Sequence, residues 1–264
     1  MTRRAATAML CAGALSWASA SQARDVAFVA CPIVQDTSNV PCWLSEHGGE
    51  VYYLGIQSDV SAAFNPPSLG HLALVEGTVS EGERICGGLV LEPVKVSIMP
   101  ALSPECDELR MVQPGLELPF EPPRPPGPSS GRLAFAPPPP APPPTPPFEA
   151  KTFEIFFPFE GTVDFKTPDA LQAVLAYARA VGEVRLQVRA QRAAVRLSDG
   201  QVIAEREGIA AVRAREIGRM FAALGEGIAQ VEVASSDVPQ LGDWRQRKVE
   251  ITVTPCDEAG RPGC

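Results

Sequence analysis

The C-terminal half of the chain alternates between strand-like and helix-like patterns of hydrophobic residues. Before the first helix, Thr167 and Pro168 supply an N-cap and the proline that favours the first helical position. Apolar residues then recur at helical spacing until Gly182, which is typical of a helix end. The pattern predicts strands over residues 153–159, 184–190, 230–234 and 248–254, helices over residues 168–181 and 205–224, and a loop over residues 192–203. This order predicts an α+β domain, in which two helices cover one face of a mixed sheet.

Residues 24–112 show a different pattern, in which short runs of alternating hydrophobic and polar residues lie between glycine and proline turn signals. The runs predict strands over residues 51–57, 72–79 and 89–99, and the region has no helical period. Several short strands of this kind predict a small all-β domain. A closed barrel of the OB type is the structural analogy.

Between these parts lies a segment in which 16 of the 34 residues from Pro114 to Pro147 are proline. Each proline ring fixes φ and removes an N–H group, so neither a helix nor a sheet can run through the segment. We interpret it as an extended spacer, with a ligand for proline-binding domains as the alternative. The predicted organisation is a β domain over residues 24–112, a proline-rich linker over residues 113–150, an α+β domain over residues 151–255 and a tail over residues 256–264. The spacer predicts an elongated particle with the two domains held apart.

The first 23 residues have the features of a secretory signal peptide. Arg3 and Arg4 form a positive start, an apolar stretch follows over residues 5–17, and small residues suited to cleavage come next. The apolar stretch is shorter than the ~20 residues that a membrane span requires. The sequence therefore predicts an exported, periplasmic protein whose mature chain has no transmembrane span. A narrower hypothesis is that this protein is associated with the outer membrane.

Six cysteines remain after the predicted cleavage: Cys31, Cys42, Cys86, Cys106, Cys256 and Cys264. An even number in an oxidising compartment predicts disulfides. A zinc site is the alternative, but such sites use closely spaced ligand pairs such as C-x-x-C, and the chain has none. Short separations favour Cys31–Cys42, Cys86–Cys106 and Cys256–Cys264, although about 15 pairings are possible.

Charge is divided unevenly between the two halves. Residues 24–120 contain 4 Lys or Arg against 13 Asp or Glu, whereas residues 151–264 contain 15 against 16. Neither balance is basic enough for a nucleic-acid-binding surface. The C-terminal half has no histidine, no glycine-rich phosphate loop and no Ser/His/Asp set, so we predict a protein that is not an enzyme and uses no cofactor. A basic cluster is a candidate surface for an acidic partner and consists of Arg185, Arg189, Arg192 and Arg196.

Arg213 interrupts the apolar stripe of the second predicted helix, between Met220 and Leu224 on a helical projection. A lone buried charge costs several kcal/mol, so the guanidinium must find a partner. Two alternatives are open. Arg213 forms a structural ion pair, with Glu216 or with a carboxylate across the sheet, or it is a fork that binds a carboxylate ligand through two hydrogen bonds.

Three segments of the C-terminal half resemble, in order and spacing, the OmpA-like family of peptidoglycan-associated domains. Phe153–Glu160 resembles the opening strand of the family, and Ile209–Ala214 resembles its Leu-Ser-x-x-Arg-Ala helix. Gln246–Ile251 is similar to its Asn-Arg-Arg-Val-Glu-Ile closing strand. The resemblance covers residues 151–255, with a longer loop before the second helix, and implies the family's mixed sheet with two helices.

The resemblance implies a site that binds the diaminopimelate stem of peptidoglycan without catalysis. Arg213 matches the arginine that binds the ligand carboxylate in this family. The ligand turn is degenerate, because Gln191 stands where the family has the aspartate for the amine, and Arg206 stands where it has an asparagine. Arg247 of the closing-strand motif is a further candidate. The amide of Gln191 supplies no charge, and a charge-assisted hydrogen bond is about twice as strong as a neutral one.

Two functional hypotheses follow. The first is a non-enzymatic envelope protein whose OmpA-like domain contacts peptidoglycan, weakly because of Gln191. The second is an OmpA-like fold that has lost wall binding and acts as a protein–protein interaction module in the envelope.

Overall fold

The described residues of the N-terminal half of the protein, within 24–118, form eight short strands. The computed structural model describes residues 24–57, 68–82, 84–116, 118, 145–162, 168–224 and 227–256. The predicted signal peptide, most of the predicted linker and the tail beyond Cys256 lie outside these residues. The strands are β1 (Asp25–Ala30), β2 (Pro32–Gln35), β3 (Cys42–His47), β4 (Glu50–Ile56), β5 (His71–Thr78), β6 (Leu89–Val90), β7 (Lys95–Leu102) and β8 (Leu109–Arg110).

These strands form two open sheets that pack face to face. One sheet is antiparallel with the order β1-β5-β7, and the other has the order β6-β4-β3-β2-β8. Phe28 and Val75 of the first sheet meet Tyr52 and Leu54 of the second in a shared core, where the rings of Phe28 and Tyr52 lie 4.9 Å apart. A barrel requires every strand to pair on both sides. The predicted OB-type barrel is therefore wrong, because β1, β7, β6 and β8 are sheet edges in the part of the chain that the structure describes.

The described residues of the C-terminal half, within 145–256, form one mixed sheet, two α-helices and a short 3-10 helix. Its elements are β9 (Lys151–Phe156), α1 (Pro168–Val181), β10 (Val184–Arg196), β11 (Val202–Ala204), α2 (Ile209–Leu224), β12 (Ile228–Leu241), a short 3-10 helix (Trp244–Gln246) and β13 (Lys248–Pro255). Strand β10 pairs in parallel with β12 and antiparallel with β13, and β13 pairs with β9. Both helices contribute to one core on one face of this sheet, where Val174 of α1 and Phe221 of α2 pack with Leu186 and Ile251.

The predicted fold class is wrong, because the part of the chain that the structure describes is mostly β with three open sheets, and an OmpA-like sheet with two helices is matched only in part. The predicted loop over residues 192–203 is a hairpin, because β10 continues to Arg196 and pairs with β11. A tight turn joins these strands, with Gly200 at a positive φ of 90° and Asp199 accepting a hydrogen bond from the Gln201 N–H. Helix α2 begins at Ile209, four residues later than predicted.

The two halves are in direct contact, which corrects the prediction that they are held apart. Leu74 of β5 packs with Phe159, Val195 and Leu197 of the C-terminal half in a buried cluster. The Ser198 hydroxyl accepts a hydrogen bond from the Ala27 N–H at 3.0 Å, and the Ser198 N–H donates to the Ala27 carbonyl at 2.7 Å. The hairpin between β10 and β11 therefore covers part of the free edge of β1.

Two disulfides join Cys31 to Cys106 and Cys42 to Cys86, so the predicted pairs Cys31–Cys42 and Cys86–Cys106 are wrong. Pairing of β2 with β8 brings the chain near Cys106 back beside the start of β2, and this tertiary proximity outweighs short sequence separation. Disulfides with sequence separations of 75 and 44 residues each contribute about 4 kcal/mol on the chain-entropy account. Cys256 is also disulfide-bonded, and its predicted partner Cys264 lies outside the described residues.

The disulfides are typical of a protein exported to an oxidising compartment. None of the helices in the described residues is long and apolar enough to cross a membrane.

Candidate functional site

Arg213 of α2 lies in a fully buried ion pair with Glu205, a residue in the segment between β11 and α2. The guanidinium makes two parallel hydrogen bonds to the carboxylate, at 3.0 Å from Nη1 to Oε2 and 2.6 Å from Nη2 to Oε1. It also donates to the carbonyls of Gly161 at 2.8 Å and Pro158 at 3.0 Å. Arg213 has 0% exposure, so no face of it is open to a ligand.

The Glu205 carboxylate is satisfied from the other side by backbone donors. The Ala193 N–H donates to Oε2 at 3.0 Å, and the Glu160 N–H donates to Oε1 at 3.1 Å. A buried carboxylate that accepts four hydrogen bonds is a strong structural element, because each bond offsets part of the desolvation cost. The ion pair thus ties α2 to β10 and to the segment that follows β9.

The partner of Arg213 is not Glu216, which the sequence offered one turn further along α2. Glu216 lies on the solvent side of α2, where it pairs with Arg219 at 3.1 Å and with Arg215 at 3.7 Å. The structural alternative for Arg213 agrees with the geometry, although with a different carboxylate.

Arg247 forms a second buried ion pair, and this pair crosses between the two halves. Its guanidinium contacts Glu76 of β5 at 2.5 Å and 3.2 Å, and its Nε donates to the Phe157 carbonyl at 3.3 Å. Arg247 is 1% exposed and Glu76 is 3% exposed. The closing-strand arginine therefore joins the C-terminal sheet to the N-terminal half.

Arg206 lies near the Arg213 site but faces solvent. Its side chain pairs with Glu160 at 3.1 Å, and its backbone N–H also donates to that carboxylate. Because Glu160 donates its own N–H to Glu205, the two ion pairs are neighbours. Arg206 therefore supports the same segment after β9 and does not face a cavity with Arg213.

Gln191 lies on the face of the sheet opposite to α1 and α2. The resemblance places it in a ligand turn, but β10 continues past this position to Arg196, with a register shift only after Gln191, and side chains alternate between the faces of a strand. Its amide donates to the Gln246 side chain at 3.1 Å. Arg213 and Gln191 are therefore not brought together into one ligand site.

A depression of about 270 Å³ surrounds Gln191 on this open face, and its charged lining residues are Arg189, Lys248 and Glu250. Lys248 contacts Glu154 at 2.5 Å and Glu250 at 2.8 Å. The hydrogen bonds to these two carboxylates raise the pKa of Lys248, so the ammonium stays charged but is largely neutralised by its neighbours. The depression therefore contains charges of both signs, and its lysine and glutamate already pair with each other.

The basic cluster predicted from the sequence divides in the structure. Arg185 and Arg189 share the open face of the sheet. Arg192 instead donates to the Glu205 carbonyl at 2.5 Å and lies near Asp237, and Arg196 lies at the boundary between the halves. Only the first two remain together as a surface.

Sequence reasoning missed Glu76 and Glu205, the two carboxylates that decide the roles of the arginines. Glu76 carried a detectable signal, because it is the single charge in the apolar strand segment from Leu72 to Val79. Glu205 carried none, since a glutamate in the first turn of a predicted helix is ordinary.

Comparison with protein-family models, with curated proteins and with solved structures found no match. The fold and contacts define a two-part, β-rich protein whose halves are joined by a buried ion pair. Among the described residues, no group of three or more His, Cys, Asp or Glu side chains is placed to hold a metal ion.

Proposed function

We propose that this is an exported, non-enzymatic protein of the periplasm that acts as a protein–protein interaction module, with the edge strand β12 as its binding surface. The observation that carries the proposal is the exposure of β12. This strand has 14 residues, and it pairs with β10 along one side only in the described part of the chain. Val233 is 49% exposed and Val238 is 65% exposed.

A long edge strand presents a row of unpaired N–H and C=O groups, which another extended segment can pair with. Soluble proteins usually shorten or cover such edges, so an uncovered edge with exposed aliphatic side chains is typical of recognition by strand addition. The register shift after Gln191 and the proline at position 239 disrupt the far end of β12. Residues 228–236 are therefore the part that supports a partner strand.

The neighbouring strand adds a charge preference to this surface. Arg185 and Arg189 of β10 lie beside β12 on the open face, and no described carboxylate forms an ion pair with either of them. Glu232 of β12 is engaged by the amide of Gln187 at 3.1 Å. Electrostatic complementarity favours a partner segment with acidic side chains on this face.

Peptidoglycan contact remains the second candidate, and it rests on the depression around Gln191. The resemblance to OmpA-like domains supplied this candidate, but the arginine on which it depends is used internally by Glu205. What remains is an amide between paired charges, which provides weak recognition at most.

Site-specific photocrosslinking tests the proposal in the cells that make the protein. A crosslinking residue at Gln230, on the edge strand, should give one discrete protein adduct, and the same residue at Arg219, exposed on α2, should give none. Adding Val233→Lys should reduce the Gln230 adduct about tenfold, because a charge on an edge strand opposes pairing. Equal adducts from both positions, or none from Gln230, would contradict the proposal. Unfolding of the Val233→Lys variant in urea provides the folding control.

A further inference from the structure

A groove of about 540 Å³ lies between the two halves of the protein. One wall comes from β1 and β5, and the other comes from the end of β10 and the segment around the 3-10 helix. Its charged and aromatic lining residues are Asp25, Glu76, Arg196, Asp243, Trp244 and Arg245. The hydrogen bonds between Ala27 and Ser198 bridge the two walls beside the groove. A cavity of this size between two structural units is large enough for a small ligand.

Three of the five charged residues in the groove already have ion-pair partners. Glu76 pairs with Arg247, and Asp243 pairs with Arg245. The remaining two, Asp25 and Arg196, form no ion pair with any described residue. Asp25 accepts one hydrogen bond, from the Thr78 hydroxyl at 2.6 Å, and its other oxygen is left without a described donor. One acidic and one basic residue without an ion-pair partner among the described residues thus line the same groove, one on each wall.

We infer that this groove binds a small zwitterionic ligand, namely an amino acid or a short peptide with free ends. The ligand ammonium would pair with Asp25, and the ligand carboxylate would accept hydrogen bonds from the fork of Arg196. Val26, Pro93 and Leu197 line the groove between them and provide apolar contact for a ligand backbone or small side chain. The two charged ends give the selectivity, because a ligand with one blocked end leaves one protein charge unpaired.

This inference goes beyond the proposed interaction surface. The groove depends on residues from both halves, whereas the partner strand depends on residues 228–236 alone. A negative result for the ligand groove therefore does not count against the partner strand on β12, and the reverse also holds.

Calorimetric titration of the mature protein with trialanine tests the inference. Trialanine with free ends should bind, and its N-acetylated and C-amidated forms should each bind about tenfold more weakly, since each loses one charge-assisted contact. Arg196→Gln should weaken trialanine about tenfold but should not weaken the C-amide further. Asp25→Asn should likewise weaken trialanine about tenfold but should not weaken the N-acetylated form further.

Arg179→Gln is the matched control, because Arg179 is exposed on α1 outside the groove, and it should bind like the wild type. Undetectable binding of trialanine, or equal binding of the free and blocked peptides, overturns the inference. An equal loss of affinity for all three peptides in Arg196→Gln also overturns the inference, because the loss would then not depend on the ligand carboxylate.

Discussion

Replacing Glu205 by alanine is expected to destabilise the protein by about 3–5 kcal/mol. The change leaves the Arg213 guanidinium buried without a counter-charge and leaves the N–H groups of Ala193 and Glu160 without an acceptor. Removing one member of a buried pair is far more damaging than removing both. Glu205→Leu combined with Arg213→Met should therefore cost less than Glu205→Leu alone. Urea unfolding of the variants measures all these differences.

The matched control is Glu216→Ala on the same helix. Its pairs with Arg215 and Arg219 are exposed, so the expected cost is below about 1 kcal/mol. Formate or acetate at high concentration should partly restore the free energy of unfolding of Glu205→Ala. The variant retains the hydrogen-bond donors that held the glutamate carboxylate, and a small carboxylate can accept from them. If Glu205→Ala and Glu216→Ala lower the free energy of unfolding by the same small amount, the buried pair does not have the structural role that we assign to it.

Replacing Glu76 by alanine is expected to separate the unfolding of the two halves. The Glu76–Arg247 pair crosses the boundary between them in a dry environment, and breaking it leaves Arg247 buried and unpaired, at a cost of about 3–5 kcal/mol. Trp43 packs against the N-terminal core, whereas Trp244 of the C-terminal half lies at the boundary with the Lys95 ammonium 4.3 Å from its ring, so the two fluorescence signals come from different regions. Single-tryptophan variants isolate the two signals.

In the wild type, the two signals should follow one coincident transition, as expected for a cooperative unit. In Glu76→Ala the transitions should become separate. Glu50→Ala is the control, because Glu50 pairs with Arg84 at an exposed position and should cost less than about 1 kcal/mol. Separate transitions already in the wild type would show that the halves behave as independent domains.

Local patterns in the sequence were sufficient for most secondary structure of the C-terminal half. The first helix begins and ends where its proline and Gly182 predicted, over Pro168–Val181. The closing strand also lies within one residue of its predicted bounds, as Lys248–Pro255. Such elements are set by interactions among near neighbours, namely caps, turn residues and hydrophobic period.

The errors concern features that depend on distant residues. The disulfide pairing follows from the neighbouring positions of β2 and β8, which no local pattern encodes. The open sheets and the contact between the halves depend on which edges remain uncovered, and alternation alone identifies strands without their neighbours. The placement of Gln191 on the far face from Arg213 follows from β10 continuing through a predicted turn.

Arg213 illustrates the difference most clearly. The sequence marked it as a charge within an apolar stripe that must have a partner, and it left two roles open, a structural ion pair and a fork that binds a carboxylate ligand. The structure supplies Glu205, eight residues earlier in the chain, as that partner. The position of the carboxylate depends on the hairpin of β10 and β11, which the sequence analysis had predicted as a loop.

Sedimentation with purified wall sacculi tests whether Arg213 and Arg247 hold the fold together and do not bind the wall. The wild type is compared with Gln191→Asp, because this substitution leaves both buried ion pairs in place. We expect both proteins to stay in the supernatant. Sedimentation of the wild type with sacculi, and about fivefold stronger sedimentation of Gln191→Asp through a gained charge-assisted hydrogen bond, would show instead that the domain binds the wall.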